Sequence, residues 1–231
     1  MNFRALIILC LISLPVSAWE IPCNWTNDTT TQANEAGGGG LFATGGKKDY
    51  SVTCSACHLE TLTTPAAMTI DTSLTFSPAL AMVNGMPTFA PSQRYQVTVT
   101  MTGENRGLSN CGAAENINTF SLTVEDAAGN TMGLLESDTG QSSMSCLAYS
   151  LSSMNCMGPL PMTGGTTFIA GDCHAVTGYG ANRTTWTFFW TAPAGNTTPD
   201  LTFFWGVVDG DCKMNSLRDE VKEKRLVVKR G

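Results

Sequence analysis

Histidine is scarce in this chain of 231 residues, which holds two, His58 and His174. Any chemistry that needs imidazole, as base or as metal ligand, must draw on these positions. Charge is sparse as well: Asp, Glu, Lys and Arg make up 14% of the residues, and 13 basic against 19 acidic side chains leave a net charge of −6. The basic footprint of a nucleic-acid binder is missing, so no nucleic-acid partner is expected. No stripe of helical period runs to a useful length before residue 215, which argues against an α fold. Nor does the chain contain G-x-S-x-G, H-E-x-x-H or G-x-x-x-x-G-K-[ST], the signatures of common hydrolases, zinc proteases and phosphate-cradling loops.

Cysteine, by contrast, is plentiful, with nine residues. Residues 1–18 carry one early positive charge at Arg4, an apolar run from Ala5 to Pro15 and the small-residue ending Val16-Ser17-Ala18. This is the pattern of a secretory signal peptide, and the run is too short to span a bilayer. Removing it takes Cys10 away and leaves Cys23, Cys54, Cys57, Cys111, Cys146, Cys156, Cys173 and Cys212. A secreted protein in an oxidising compartment, periplasmic or at the cell surface, is expected, with no integral membrane segment after signal removal.

The chemistry concentrates at Cys54-Ser55-Ala56-Cys57-His58, a complete C-x-x-C-H attachment site for c-type haem. Two thiols at this spacing reach the two vinyl groups of one porphyrin, and the adjacent imidazole of His58 falls onto the iron as proximal ligand. His174 is then the only histidine left for the opposite axial position. Three other readings stay open. The pair Cys54 and Cys57 suits a disulfide, or half of a zinc site, although the remaining cluster Cys173-His174 is adjacent rather than spaced. A methionine of the 136–165 region (Met144, Met154, Met157 or Met162) is the alternative axial ligand, by its thioether sulfur. If Cys54 and Cys57 hold haem, the other six cysteines suit three disulfides, whose pairing spacing does not choose.

Along the chain, residues 19–43 show no periodicity and include the run Gly37 to Gly40, a flexible connector. The clearest strand is Arg94 to Thr102, where Tyr95, Val97, Val99 and Met101 alternate with polar residues. Thr119 to Glu125 repeats the pattern, Leu74 to Phe76 reads as a short strand, and Thr131 to Leu135 as a strand returning after the turn at Asp126 to Asn130. The region from Glu136 to Gly165 reads as a long loop stapled through Cys146 and Cys156. Two aromatic strands, Thr185 to Trp190 and Leu201 to Val208, form either a hairpin or a pair crossing between the sheets of a sandwich. Their tryptophans are expected to pack in the core rather than relay electrons. Residues 216–231 turn abruptly charged and read as a tail, a frayed helix or disordered.

Several of these features fall in one order: Thr44-Gly45, Cys54-x-x-Cys57-His58, Pro87-Thr88-Phe89-Ala90-Pro91-Ser92-Gln93-Arg94-Tyr95, His174, and Trp186-Thr187-Phe188-Phe189-Trp190-Thr191-Ala192-Pro193. From residue 44 to residue 212 the chain resembles the Reelin-like (Reeler) domain, in the bacterial secreted form that carries a C-x-x-C-H motif upstream. The resemblance implies an immunoglobulin-like antiparallel β-sandwich. Joined to the readings above, the expected fold is all-β over residues 44–215, with a haem-binding N-terminal loop and a long cysteine-stapled insertion that departs from the family pattern. The resemblance also implies a histidine shortly before the tryptophan strand, the place His174 holds.

The expected function is that of a monohaem c-type cytochrome, with one covalent haem c on Cys54 and Cys57 and His58 and His174 on the iron. Two imidazoles leave no open coordination site, which favours one-electron transfer over catalysis. A redox protein is the expected partner, with self-association as a further possibility. The alternative is a haem-free, disulfide-stapled extracellular binding or structural module. A third reading keeps the haem but leaves His174 off the iron, giving a five-coordinate gas-binding or peroxidatic site.

Overall fold

The computed structural model of the protein describes residues 44–48, 51–56, 70–103, 117–140, 142–144, 166–170, 173–181, 183–195, 199–210 and 219–231. The expected signal peptide, the Gly-rich segment 19–43, and Cys23, Cys111, Cys146, Cys156 and Cys212 lie outside them.

Among the described residues eleven strands run in chain order: β1 (Asp71–Ser77), β2 (Ala81–Val83), β3 (Met86–Phe89), β4 (Arg94–Thr102), β5 (Ile117–Glu125), β6 (Leu134–Glu136), β7 (Phe168–Ala170), β8 (Ala175–Ala181), β9 (Thr185–Thr191), β10 (Leu201–Asp209) and β11 (Glu220–Arg230). They form a four-stranded sheet in the order β1-β4-β9-β6 and a seven-stranded sheet in the order β2-β3-β11-β10-β5-β8-β7. The protein is an all-β sandwich, and among the described residues no helix is long and apolar enough to cross a membrane. Pairing is antiparallel except where Lys229 and Arg230 of β11 run parallel to Thr88 and Phe89 of β3.

Alternation in the sequence decides which side chains meet. Successive residues of a strand point to opposite faces, so Tyr95, Val97, Val99 and Met101 of β4 turn inward together, as do Trp186, Phe188 and Trp190 of β9. From the other sheet Phe120, Leu122 and Val124 of β5 and Leu201, Phe203, Trp205 and Val207 of β10 meet them. Aromatic rings close the gap between the sheets: Trp190 stands edge-on to Phe203 at 4.9 Å, and Phe76 of β1 edge-on to Phe203 at 5.3 Å. Such pairs add about 0.5–1.5 kcal/mol each beyond the apolar area they bury. Two of the three core tryptophans use their polar ends: Trp190 Nε1 donates to Met132 O at 3.0 Å and Trp205 Nε1 to Thr72 Oγ1 at 3.1 Å, whereas the buried Trp186 Nε1 has no partner among the described residues.

The aromatic strands β9 and β10 belong to different sheets, so the connection between them crosses the sandwich rather than closing a hairpin. Two expectations need correction. After the turn at Asp126 the chain makes a single bridge from Thr131 to Glu125 and then leaves that sheet, and β6 pairs with β9 instead. The charged run from Ser216, read as a tail, contains β11, which pairs with β10 over nine residue pairs from Leu201–Val228 to Asp209–Glu220. Val228 is fully buried and Leu226 packs against the core. The sandwich therefore extends past residue 215 to Arg230.

Candidate functional site

Residues 44–48 and 51–56 lie on the outer face of the seven-stranded sheet. At one end, Thr44 Oγ1 meets Thr123 Oγ1 of β5 at 2.9 Å in a buried contact. Beside it the carboxylate of Glu125, itself fully buried, accepts the amide of Lys47 at 2.7 Å and that of Lys48 at 3.3 Å. Gly46 is pressed so close to this carboxylate that a Cβ there would stand 2.7 Å from Glu125 Cδ. A bridge from Thr44 to Thr53 closes the loop into an arch.

The far end of the arch is a single turn of 3-10 helix over Cys54–Ala56, the opening residues of the C-x-x-C-H motif. It rests on β10 and β11. The Sγ of Cys54, which is buried, lies 2.6 Å from where Gly206 would carry a Cβ. No other residue type leaves that space, so the glycine in the middle of an otherwise aromatic strand is where the turn sits down. Glu223 of β11 is the register partner of Gly206. Its Oε1 accepts from the Ser55 amide at 2.9 Å and from Ser55 Oγ at 3.1 Å.

The burial record of the strands shows the same arch from below. In β10, Thr202 and Phe204 are half-buried between buried neighbours, but from Trp205 to Asp209 every residue is buried. In β5 the residues from Leu122 to Glu125 are likewise all buried, whereas Thr119 and Ser121 are half-buried. A sheet buried on both faces loses its alternation, and the arch is what covers the outer face at Gly206 of β10 and at Thr123 and Glu125 of β5.

His174 is buried, 3% exposed, and immediately precedes β8. The neighbouring Ala175 is in register with the floor of the arch, pairing with Thr123, whose hydroxyl is the one that Thr44 meets, while successive residues point to opposite faces. The structure thus brings His174 and the start of the C-x-x-C-H segment to one sheet, on β8, β5, β10 and β11 in lateral order, although 120 positions separate Cys54 from His174 in the sequence. Cys173, just before it, is disulfide-bonded and takes a left-handed backbone with φ of 63°. Cys57 and His58 lie outside the described residues. Of the four methionines weighed as axial ligands Met144 is described, and it stands 84% exposed.

Sequence reasoning singled out Cys54 and His174 from their chemistry but not the two residues beneath the turn. Gly206 carried a signal, an isolated glycine inside a strand pattern, which marks a bulge or a close approach. Glu223 carried none, because the charged run around it had not been read as a strand.

No protein-family model matches the chain, and no curated protein matches it. Among solved structures it is similar to the reeler domain of human F-spondin (fragment 1), with 14% identity over 72% of this chain and 94% of that one, at a TM-score of 0.37. It is also similar to the Reelin-N domain of F-spondin, with 14% identity over 77% and 86% of the two chains and a TM-score of 0.37. A DUF4466 family protein from Parabacteroides merdae shares 10% identity over 69% of this chain and 44% of its own, at a TM-score of 0.33.

Proposed function

We propose that the protein is a secreted monohaem c-type cytochrome that carries one electron on a β-sandwich of Reelin-like type. The observation that carries this reading is the seating of the Cys54–Ala56 turn, which opens the C-x-x-C-H motif, on the sheet whose strand β8 is led by His174. The donor types suit a covalently held haem with two imidazoles: Cys54 and Cys57 would hold the porphyrin, and His58 and His174 its iron. When bound there, haem c would supply a single one-electron Fe(III)/Fe(II) couple.

The residues of the chain do the rest. The arch from Thr44 to Ala56 is tied at both ends, by Glu125 and Glu223, so the attachment turn is held before any cofactor arrives. The rigid sheet beneath it limits how far either end can move, and small reorganisation is what a one-electron carrier needs. A disulfide at Cys173 restrains the segment that carries His174, and it agrees with an oxidising compartment, periplasmic or extracellular.

The first test is the intact mass, under denaturing conditions, of mature protein made with a c-type haem maturation system. The expected result is the polypeptide plus one haem. Polypeptide mass alone would sink the cytochrome reading in favour of a haem-free, disulfide-stapled binding module. On loaded protein, His174→Ala should turn a low-spin iron high-spin. An unchanged spectrum in that variant would take His174 off the iron, in favour of a methionine ligand or a five-coordinate site.

A further inference from the structure

The charged strand β11 does more than complete a sheet. Its outward-facing Glu223 is the single side chain among the described residues that hydrogen-bonds the Cys54–Ala56 turn from the sheet below, and it does so twice, through the backbone amide and the hydroxyl of Ser55. The amide bond fixes the backbone between the motif's two cysteines, and the hydroxyl bond fixes the side chain that Thr53 also reaches, at 2.9 Å. Across the strand pair, Gly206 leaves the opening into which Cys54 Sγ drops. Each component alone is ordinary. Together they set the height of the turn, through Gly206, and its position along the sheet, through Glu223.

We propose that Glu223 is a positioning residue for haem attachment, with Gly206 as its steric counterpart: the two form a seat that holds the Cys54–Ala56 turn, the start of the C-x-x-C-H motif, in a fixed place. The proposal rests on the cytochrome reading. It also makes the C-terminal strand a requirement for cofactor loading, which the distance in sequence between residues 54 and 223 would not suggest. A carboxylate beside the attachment turn has a second consequence. Its negative charge stabilises the ferric over the ferrous state of a nearby haem, so it holds the midpoint potential down.

The test uses the full mature chain with a c-type maturation system, in wild type, Glu223→Ala, Glu223→Gln and Gly206→Ala. Amide hydrogen exchange at Ser55, followed by NMR, reads the contact itself and does not depend on haem. A hydrogen bond to a charged group is worth about 1.5–3 kcal/mol, so Glu223→Ala should speed exchange at Ser55 by about tenfold or more. Denaturing intact mass reads loading, which should fall to less than half of the wild-type fraction in Glu223→Ala and Gly206→Ala. Glu223→Gln keeps an acceptor of the same shape without the charge. It should therefore load close to wild type while its midpoint potential moves upward, a shift that a purely structural role would not produce.

Unchanged exchange at Ser55 in Glu223→Ala overturns the seat. Faster exchange with wild-type loading overturns the positioning role while leaving the cytochrome reading intact. Wild-type protein that takes up no haem, yet whose Ser55 responds to Glu223→Ala, overturns the cytochrome reading and the positioning role with it, leaving an ordinary fold contact.

Discussion

The two sheets present opposite outer faces. On the four-stranded sheet, β4 alternates from end to end, with Gln96, Thr98, Thr100 and Thr102 outward, and Thr185 and Thr187 of β9 extend the same surface. It is a hydroxyl-rich face open to solvent, closed at one corner by Arg94, which lies 3.6 Å above the ring of Phe189 and pairs with Glu136 at 2.8 Å. On the seven-stranded sheet the outward positions are also hydroxyl-rich, with Thr119, Ser121 and Thr123 on β5 and Thr177 on β8. There, however, the Thr44–Ala56 arch lies on top, and Thr123 and Glu125 are fully buried. The same polar strand face thus serves as a solvated surface on one side and as the floor of a candidate site on the other. Polar groups survive burial only when they are hydrogen-bonded, and the arch supplies the partners.

The comparison is broken most severely at Glu125. If the floor is held by its charged contacts to the arch, Glu125→Ala removes the acceptor of the Lys47 and Lys48 amides and opens a space where a buried carboxylate stood. A loss of about 2–3 kcal/mol is expected, read from urea unfolding. Glu125→Gln, which keeps one carbonyl oxygen, should lose less. Equal stability in wild type and Glu125→Ala would mean that the arch is loosely laid on the sheet and that the two faces differ in appearance only.

How far this arrangement was legible follows from where alternation survives. Strand β4 was read with its observed limits, and β5, β9 and β10 nearly so: β4 and β5 because apolar residues alternate with polar ones, and β9 and β10 because dense aromatic runs are bounded by turn residues. The residues of the site divide differently. Cys54, Cys57, His58 and His174 stood out because their side chains have few other uses in that pattern, whereas Gly206 and Glu223 act only by being opposite one another on paired strands. Strand β11 was hidden for a physical reason. Its inward stretch places Lys222 and Lys224 on the core side of the register, and Lys224 escapes around the sheet edge to Asp71 of β1 at 2.6 Å. Only Leu226 and Val228 then mark the inner face, too few to show a period. Strand β6 was misplaced because Thr131 to Leu135 looks like the return arm of a hairpin. Instead, Gly133 lies so tightly against Trp190 that a Cβ there would stand 2.6 Å from Thr191 O, and the chain passes to the other sheet.

A second contrast joins the sheets at their edge. Asp138, just after β6, accepts from the amides and hydroxyls of both Thr166 and Thr167, just before β7. Partial burial works to raise its pKa, but the hydrogen bonds from Thr166 and then Thr167 outweigh it and hold the carboxyl below its ordinary value of 3.8. Because the folded-state pKa is depressed, the contribution of this contact is complete above the unfolded value and is lost as pH falls through the folded one. Asp138→Asn should therefore flatten the acid limb of the stability curve below about pH 4 and leave the neutral region less stable. An acid limb identical to wild type would show that the link carries no pH-dependent stability. Asp71 and Asp126 are lowered as well, by the Lys224 contact and by the Asn130 side chain respectively, so the wild-type limb will not be owed to Asp138 alone.

The finest test compares one substitution on the two faces. Thr123 and Thr98 are each in the middle of a sheet, point outward and meet a second threonine hydroxyl: Thr44 at 2.9 Å beneath the arch, and Thr187 at 3.4 Å on the open face. Valine has nearly the shape of threonine without its hydroxyl and favours strands at least as well. At Thr98 solvent can rehydrate whatever Thr187 loses, so Thr98→Val should change stability by no more than about 0.5 kcal/mol. At Thr123 the hydroxyl is shut away from water, and Thr123→Val should cost about 1–2 kcal/mol, measured in the same urea titration. The cost should shrink when the arch is already weakened, because a lifted arch lets water in. In a Glu125→Ala background the Thr123→Val penalty should therefore fall toward that of Thr98→Val. Full additivity of Glu125→Ala and Thr123→Val would mean that the two contacts hold the arch independently.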